Sequence, residues 1–182
     1  MKYAALIFFA LMLVFSACKK SDDSGQTPPP ADSAYYFQFS FQDSDYHLKS
    51  ILPASVPSYA NEIRGIQTPG AAEVPLIILS LIWPANHEVT DGDVLGLEGK
   101  TISLGTNSRI SFVKELNGTI WHSVSGQVAI HKVTFIEGQT TTGALVLVHA
   151  ISGTCIATMS DGTNTENLMN GSFNLAVGVL AR

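Results

Sequence analysis

Charge is scarce in this sequence, and positive charge scarcer still. Only 14% of the 182 residues are Asp, Glu, Lys or Arg, with 15 acidic side chains against 10 basic ones. No basic cluster stands anywhere beyond Lys19-Lys20. Nucleic-acid binding rests on clustered Lys and Arg that neutralise phosphates, so that class of partner is excluded. Cysteine is nearly absent, with only Cys18 and Cys155. If Cys18 is committed elsewhere, Cys155 has no partner for an intramolecular disulfide, and stability has to come from a hydrophobic core. Gly-x-Ser-x-Gly elbows and Gly-rich phosphate loops are both missing. The five histidines, His47, His87, His122, His131 and His149, fall at neither the i, i+4 nor the i, i+2 spacing of a zinc site. The sequence thus writes out no metal site, cofactor site or catalytic residue.

Helical periodicity is missing as well, whereas two-residue alternation recurs. Phe37, Phe39 and Phe41 alternate with Tyr36, Gln38 and Ser40, and a turn over residues 42–45 returns the chain as a hairpin. A weaker strand is expected over 59–66. Residues 74–83 are apolar without alternation, which predicts a central strand covered on both faces. A short alternating piece covers 101–104. Strands follow over 109–116, 119–125 and 127–137, the first two joined at Asn117-Gly118, a pair suited to a type I′ turn. The apolar phase switches at His131-Lys132, from Val128 and Ile130 to Val133 and Phe135, which predicts a β-bulge. A long strand over 143–159 carries Leu145, Leu147, His149, Ile151, Cys155, Ala157 and Met159 on one face, with Gly153 marking a bend. Asp161-Gly162 makes another turn. Phe173, Leu175, Val177 and Val179 close the domain. The expected fold is all-β: an antiparallel β-sandwich or barrel of about ten strands.

Chemistry is thin within that frame. His149, on an otherwise apolar face, reads as a core histidine bonded to backbone. Thr90-Asp91-Gly92-Asp93 opens like a calcium loop, but Leu95 and Gly96 follow where ligands are needed, so a tight turn is the expectation. Cys155, without a nearby cation, reads as an inert core thiol. Trp121, Trp83 and Tyr59 are candidate ligand-binding residues, because apolar sugar faces pack on aromatic rings. In Ile120-Trp121-His122 only one of Trp121 and His122 can face the core.

The beginning of the chain carries more information. Met1-Lys2 supplies a positive start and residues 4–15 an apolar run, too short for the ~20 residues that span a bilayer. Ser16-Ala17-Cys18 then resembles the lipobox of bacterial lipoproteins, with Phe15 where Leu is usual. The resemblance implies cleavage between Ala17 and Cys18 and acylation of Cys18, which would tie the protein to a membrane. Lys19-Lys20-Ser21-Asp22-Asp23 resembles the export signal of surface lipoproteins in Bacteroidetes-type bacteria, with a serine interposed. It implies the outer membrane, at the cell surface or facing the periplasm. A Pro-rich tether follows to residue 33 and reaches about 50 Å at most. The chain therefore divides into a signal peptide (1–17), a lipidated cysteine with its tether (18–33) and one all-β domain (34–182).

Within the domain, Gly126-Gln127-Val128-Ala129-Ile130-His131-Lys132, Ile151-Ser152-Gly153-Thr154-Cys155 and Asn170-Gly171-Ser172-Phe173-Asn174 resemble a family of small lipoproteins of Bacteroidetes-type bacteria with a β-sandwich or lipocalin-like domain. Cys155 stands where that pattern has Phe. The shared motifs are turns, glycines and core residues, so no functional residue transfers. The expected role is a lipid-anchored binding or accessory module for a glycan or an outer-membrane partner protein. A lipocalin-like carrier of a small apolar ligand is the alternative, and a hydrolase a further one.

Overall fold

The computed structural model describes residues 35–50, 61–68, 74–141 and 143–181. All lie in the second of the two units into which the chain divides, Asp32–Arg182. Ala17, Cys18, the tether and Tyr59 lie outside the described residues.

β1 (Tyr35–Phe41) and β2 (Ser44–Ser50) form a hairpin through Gln42 and Asp43, whose φ angles are 49° and 56°. Positive φ at both central residues is the type I′ geometry that follows the right-handed twist of the flanking strands. The turn needs only these two residues, so Ser44 and Asp45 belong to the returning strand. β3 (Glu62–Gln67) pairs with β4 (Leu76–Ile82), and β4 with β6 (Arg109–Val113). β5 (Thr101–Ser103) is a short strand beside β7 (Ile120–Thr141). β8 (Ala144–Ser160) and β9 (Thr165–Leu180) complete the set.

The strand order is β2-β1-β9-β8-β7-β6-β4-β3, all antiparallel, with β5 off this path. The all-β expectation holds, in the form of one curled sheet that is not closed. The stretches 119–125 and 127–137 are not separate strands. They merge into β7, because Gly126 adopts a φ of 128° and carries the ladder through a position few other residues tolerate.

The curl is visible in its interior. Phe112 on β6 meets Phe39 and Phe41 of β1 and Tyr46 of β2 at ring separations of 5.0, 5.5 and 5.0 Å. These strands are not neighbours in the sheet, so the two limbs fold over a shared core. Phe37 stacks on Phe173 at 5.5 Å, and Phe41 lies edge-on to Trp121 at 5.1 Å. Burying each such ring stabilises the fold by roughly 1.5–3 kcal/mol. On the far limb, Gly65 of β3 backs so closely onto Leu175 of β9 that a side chain would displace it.

The bulge expected at His131-Lys132 is present. Ile130 pairs with Gly153 and Lys132 with Ser152, so His131 is the extra residue. Its consequence is the observed phase change: Ile130 and Val133 both point inward and are buried.

Three expectations are corrected. Residues 91–95 form a helix, α1 (Asp91–Leu95), where no helix was expected. Thr90 caps it: its hydroxyl accepts from Asp93 N–H, and the Asp93 carboxylate accepts from Thr90 N–H at 2.8 Å. That capping box, with Val94 fully buried, holds a helix too short to show periodicity. The β6–β7 hairpin forms without a type I′ turn at Asn117-Gly118. Gly118 N–H donates to Glu115 C=O at 2.8 Å, and of that pair only Asn117 has positive φ. β4 is fully covered on one face only: Ile77, Leu79 and Leu81 are buried there, whereas on the other face Leu76, Ile78 and Ile82 remain partly exposed and only Ser80, beside Glu62, is buried.

Candidate functional site

The interior leaves little room for a ligand. Phe37, Phe41, Phe112, Phe173 and Met159 fill it, all at under 2% exposure. The apolar opening beside Trp83, lined by Leu81, Ile82, Leu97 and Ile102, holds about 190 Å³. Sites for small organic ligands usually start near 300 Å³. Trp83 itself packs against the core and stacks on His87 at 6.3 Å. Trp121 is 8% exposed and faces inward, leaving His122 on the outer face. The ring of Trp121 is committed to Phe41 and cannot serve as an open platform.

Outside, the two limbs differ. On the first, outward residues align into rows across five strands. Lys49, Tyr36, Asn174, Ser152 and Lys132 are successive cross-strand partners. His47, Gln38, Ser172 and Thr154 form the next row, with Thr154 Oγ1 3.4 Å from His131 Nε2. A bulge in β9 interrupts the ladder: Met169 and Asn170 together oppose only Ile156 of β8, and Asn170 takes a φ of 53°. The bulge turns both side chains toward an open groove of about 330 Å³, shared with Gln38, Gln127, Thr154 and Ser172. No charged side chain lines it. Amides and hydroxyls each donate and accept, which suits a neutral ligand rich in hydroxyl groups.

On the second limb, three outward rows run across β3, β4, β6 and β7. Arg64, Ser80 and Arg109 form the first row. Ile78, Ser111 and His122 form the second. Leu76, Val113 and Ile120 form the third. All nine side chains line one groove of about 280 Å³. Glu62 is buried beside it, bound through both carboxylate oxygens to Arg64 at 2.8 and 3.1 Å. Burial raises the Glu62 pKa, but hydrogen bonds from Arg64 and Ser80 and the charge of Arg109 outweigh that and hold it below the usual value. His122 is held below the usual histidine value by partial burial and then by Arg109.

A third cluster surrounds α1. The His87 Nε2 and Thr90 Oγ1 atoms lie 3.1 and 2.7 Å from Asp93 Oδ2. A nucleophile–base–acid relay needs the histidine between hydroxyl and carboxylate. Here the carboxylate lies between them, so His87 cannot take the Thr90 proton. Hydrogen bonds from Thr90 are the largest influence on Asp93, and they lower its pKa. His149 is fully buried, with Nε2 2.9 Å from Asp91 Oδ1 and the edge of Phe135 against its ring. The expected backbone partner is absent: the ring's neighbour is the Asp91 carboxylate, aligned too poorly for a hydrogen bond, and Nδ1 has no partner among the described residues. Cys155 is a core thiol whose pKa burial pushes up to about 12, far from a reactive thiolate. Among the described residues, no three His, Cys, Asp or Glu side chains converge as a metal site would require.

The sequence points to Trp121, Trp83 and Tyr59, whereas the structure gathers amides on one limb and arginines on the other. The signal for the second groove was the missing alternation in residues 74–83, which reflects an apolar outer face and not a covering layer. No family model, curated protein or solved structure matches the chain.

Proposed function

We propose that this is a lipid-anchored β-domain of the outer membrane, of the Bacteroidetes-type small lipoprotein kind, that binds a neutral glycan on its first limb. The supporting observation is the uncharged groove of Gln38, Gln127, Thr154, Asn170 and Ser172, built on a bulge that aims side chains outward. Tyr36 in the adjoining row offers the aromatic face that Trp121 does not. The Lys19-Lys20-Ser21-Asp22-Asp23 stretch behind Cys18 supports a cell-surface address. An accessory role toward a partner protein would use the same face. The interior packing counts against an apolar-ligand carrier, and the order of groups around Asp93 against a hydrolase.

The test is affinity electrophoresis of the chain from residue 18 onward, with Cys18→Ser, in gels containing neutral polysaccharides. Retardation by at least one glycan, reduced in Gln38→Ala and Asn170→Ala, is expected. Unretarded migration through every polysaccharide would sink the reading. Mass spectrometry of the peptide carrying Cys18 tests the anchor, and protease accessibility on intact cells separates the cell surface from the periplasmic face.

A further inference from the structure

We propose that the groove on the second limb is a binding site for a monomeric amphiphile with a single negative charge, a medium-chain carboxylate, distinct from the glycan site. Its rows are ordered by chemistry along the strands. Guanidinium groups stand at one end, with Arg64 and Arg109 flanking Ser80. Leu76, Val113 and Ile120 stand at the other, where Ile120 is 50% exposed. Ile78, Ser111 and His122 bridge the two ends, with Ser111 Oγ 2.9 Å from His122 Nδ1. From Arg109 to Val113 the strand advances about 13 Å, the reach of a medium acyl chain laid along it.

Arg109 supplies the cation. Glu62 takes Arg64 in a two-pronged contact, whereas Arg109 makes no salt bridge among the described residues. Its single guanidinium is exposed at the end of the groove, where one carboxylate can meet it. Guanidinium forks match carboxylate geometry, and apolar side chains along the remaining path favour a hydrocarbon tail. A trough between side chains admits one chain. A bilayer surface would need projecting residues instead.

Isothermal titration of the chain from residue 18, with Cys18→Ser, against decanoate below its aggregation concentration tests this. Decanoate is expected to bind, with acetate and decylammonium at least tenfold weaker. Arg109→Leu is expected to weaken decanoate about tenfold or more, the loss of one charged hydrogen-bonding group, and to leave decanol unaffected. Ile120→Asp is expected to weaken both. Both residues are exposed, and unchanged thermal melting verifies folding. Gln38→Ala, on the other limb, is expected to leave decanoate binding untouched, so failure here and failure of the glycan reading are separable. The proposal is overturned if decanoate does not bind, if acetate binds as well as decanoate, if Arg109→Leu has no effect, or if anionic phosphatidylglycerol vesicles bind where monomeric decanoate does not.

Discussion

The two limbs of the sheet share an interior and differ on the outside. Both bury alternate positions into one aromatic core, where Phe39 and Phe41 of β1 meet Phe112 of β6. On the first limb the outward rows carry amides, hydroxyls, Tyr36, His47 and two flanking lysines, with Ile156 and Met169 exposed at the bulge. On the second they grade from arginine to aliphatic within four residues of one strand. The inward residues are hydrophobes on both limbs, and the outward rows carry the distinction. One antiparallel sheet can thus present two chemically unlike faces, because each strand contributes every second residue to the outside.

The largest effect should come from cutting the joint between limbs. Phe112→Ala removes a fully buried ring that touches Phe39, Phe41 and Tyr46. A loss of about 3–5 kcal/mol is expected in denaturant unfolding. If the loss stays below about 1 kcal/mol, the limbs do not depend on this joint. Next comes the buried carboxylate of the second limb. Glu62→Gln leaves Arg64 facing a neutral group, and a loss of about 1.5–3 kcal/mol at neutral pH is expected. Because the Glu62 pKa is lowered in the folded state, its contribution is present above the ordinary glutamate value and fades as pH falls through the lowered one. The stability difference between the parent protein and Glu62→Gln should therefore shrink on acidification. A constant difference from pH 7 to pH 3 would contradict the ion pair. A smaller loss, about 1 kcal/mol, is expected from Thr90→Ala, which removes one side of the capping box on α1 without touching either outer groove. Altered binding at either groove would show that α1 couples to them.

The inner face was legible in the sequence, because burial imposes a local period. Phe37, Phe39 and Phe41, the phase switch at His131 and the closing run from Phe173 to Val179 all follow from neighbours along the chain. The outer rows were not legible. Arg64 and Arg109, or Gln38 and Thr154, become neighbours only once strand order and register are known, and neither is encoded locally. The helix was missed because five residues cannot display a period, although Thr90 and Asp93 at capping-box spacing were there to read. Residue preference points the type I′ turn to Asn117-Gly118. It formed at Gln42-Asp43, where a two-residue connection between paired strands demanded it.

The mildest expected effect sharpens the contrast between the limbs by pH. His122 is disfavoured as a cation in the folded protein, first by partial burial and then by Arg109. A histidine with a lowered folded value takes up its proton in the unfolded chain first. Stability therefore falls as pH drops through the unfolded histidine value of about 6.5 toward the lowered folded one. Removing Arg109 takes away one of the two causes, so Arg109→Leu should move the His122 titration upward in NMR, toward the unperturbed value. Gln38→Ala, on the first limb, should leave the His122 titration where it is. A His122 titration that stays in place in Arg109→Leu, or that moves as far in Gln38→Ala, would mean that the lowering does not come from the second limb's own arginine.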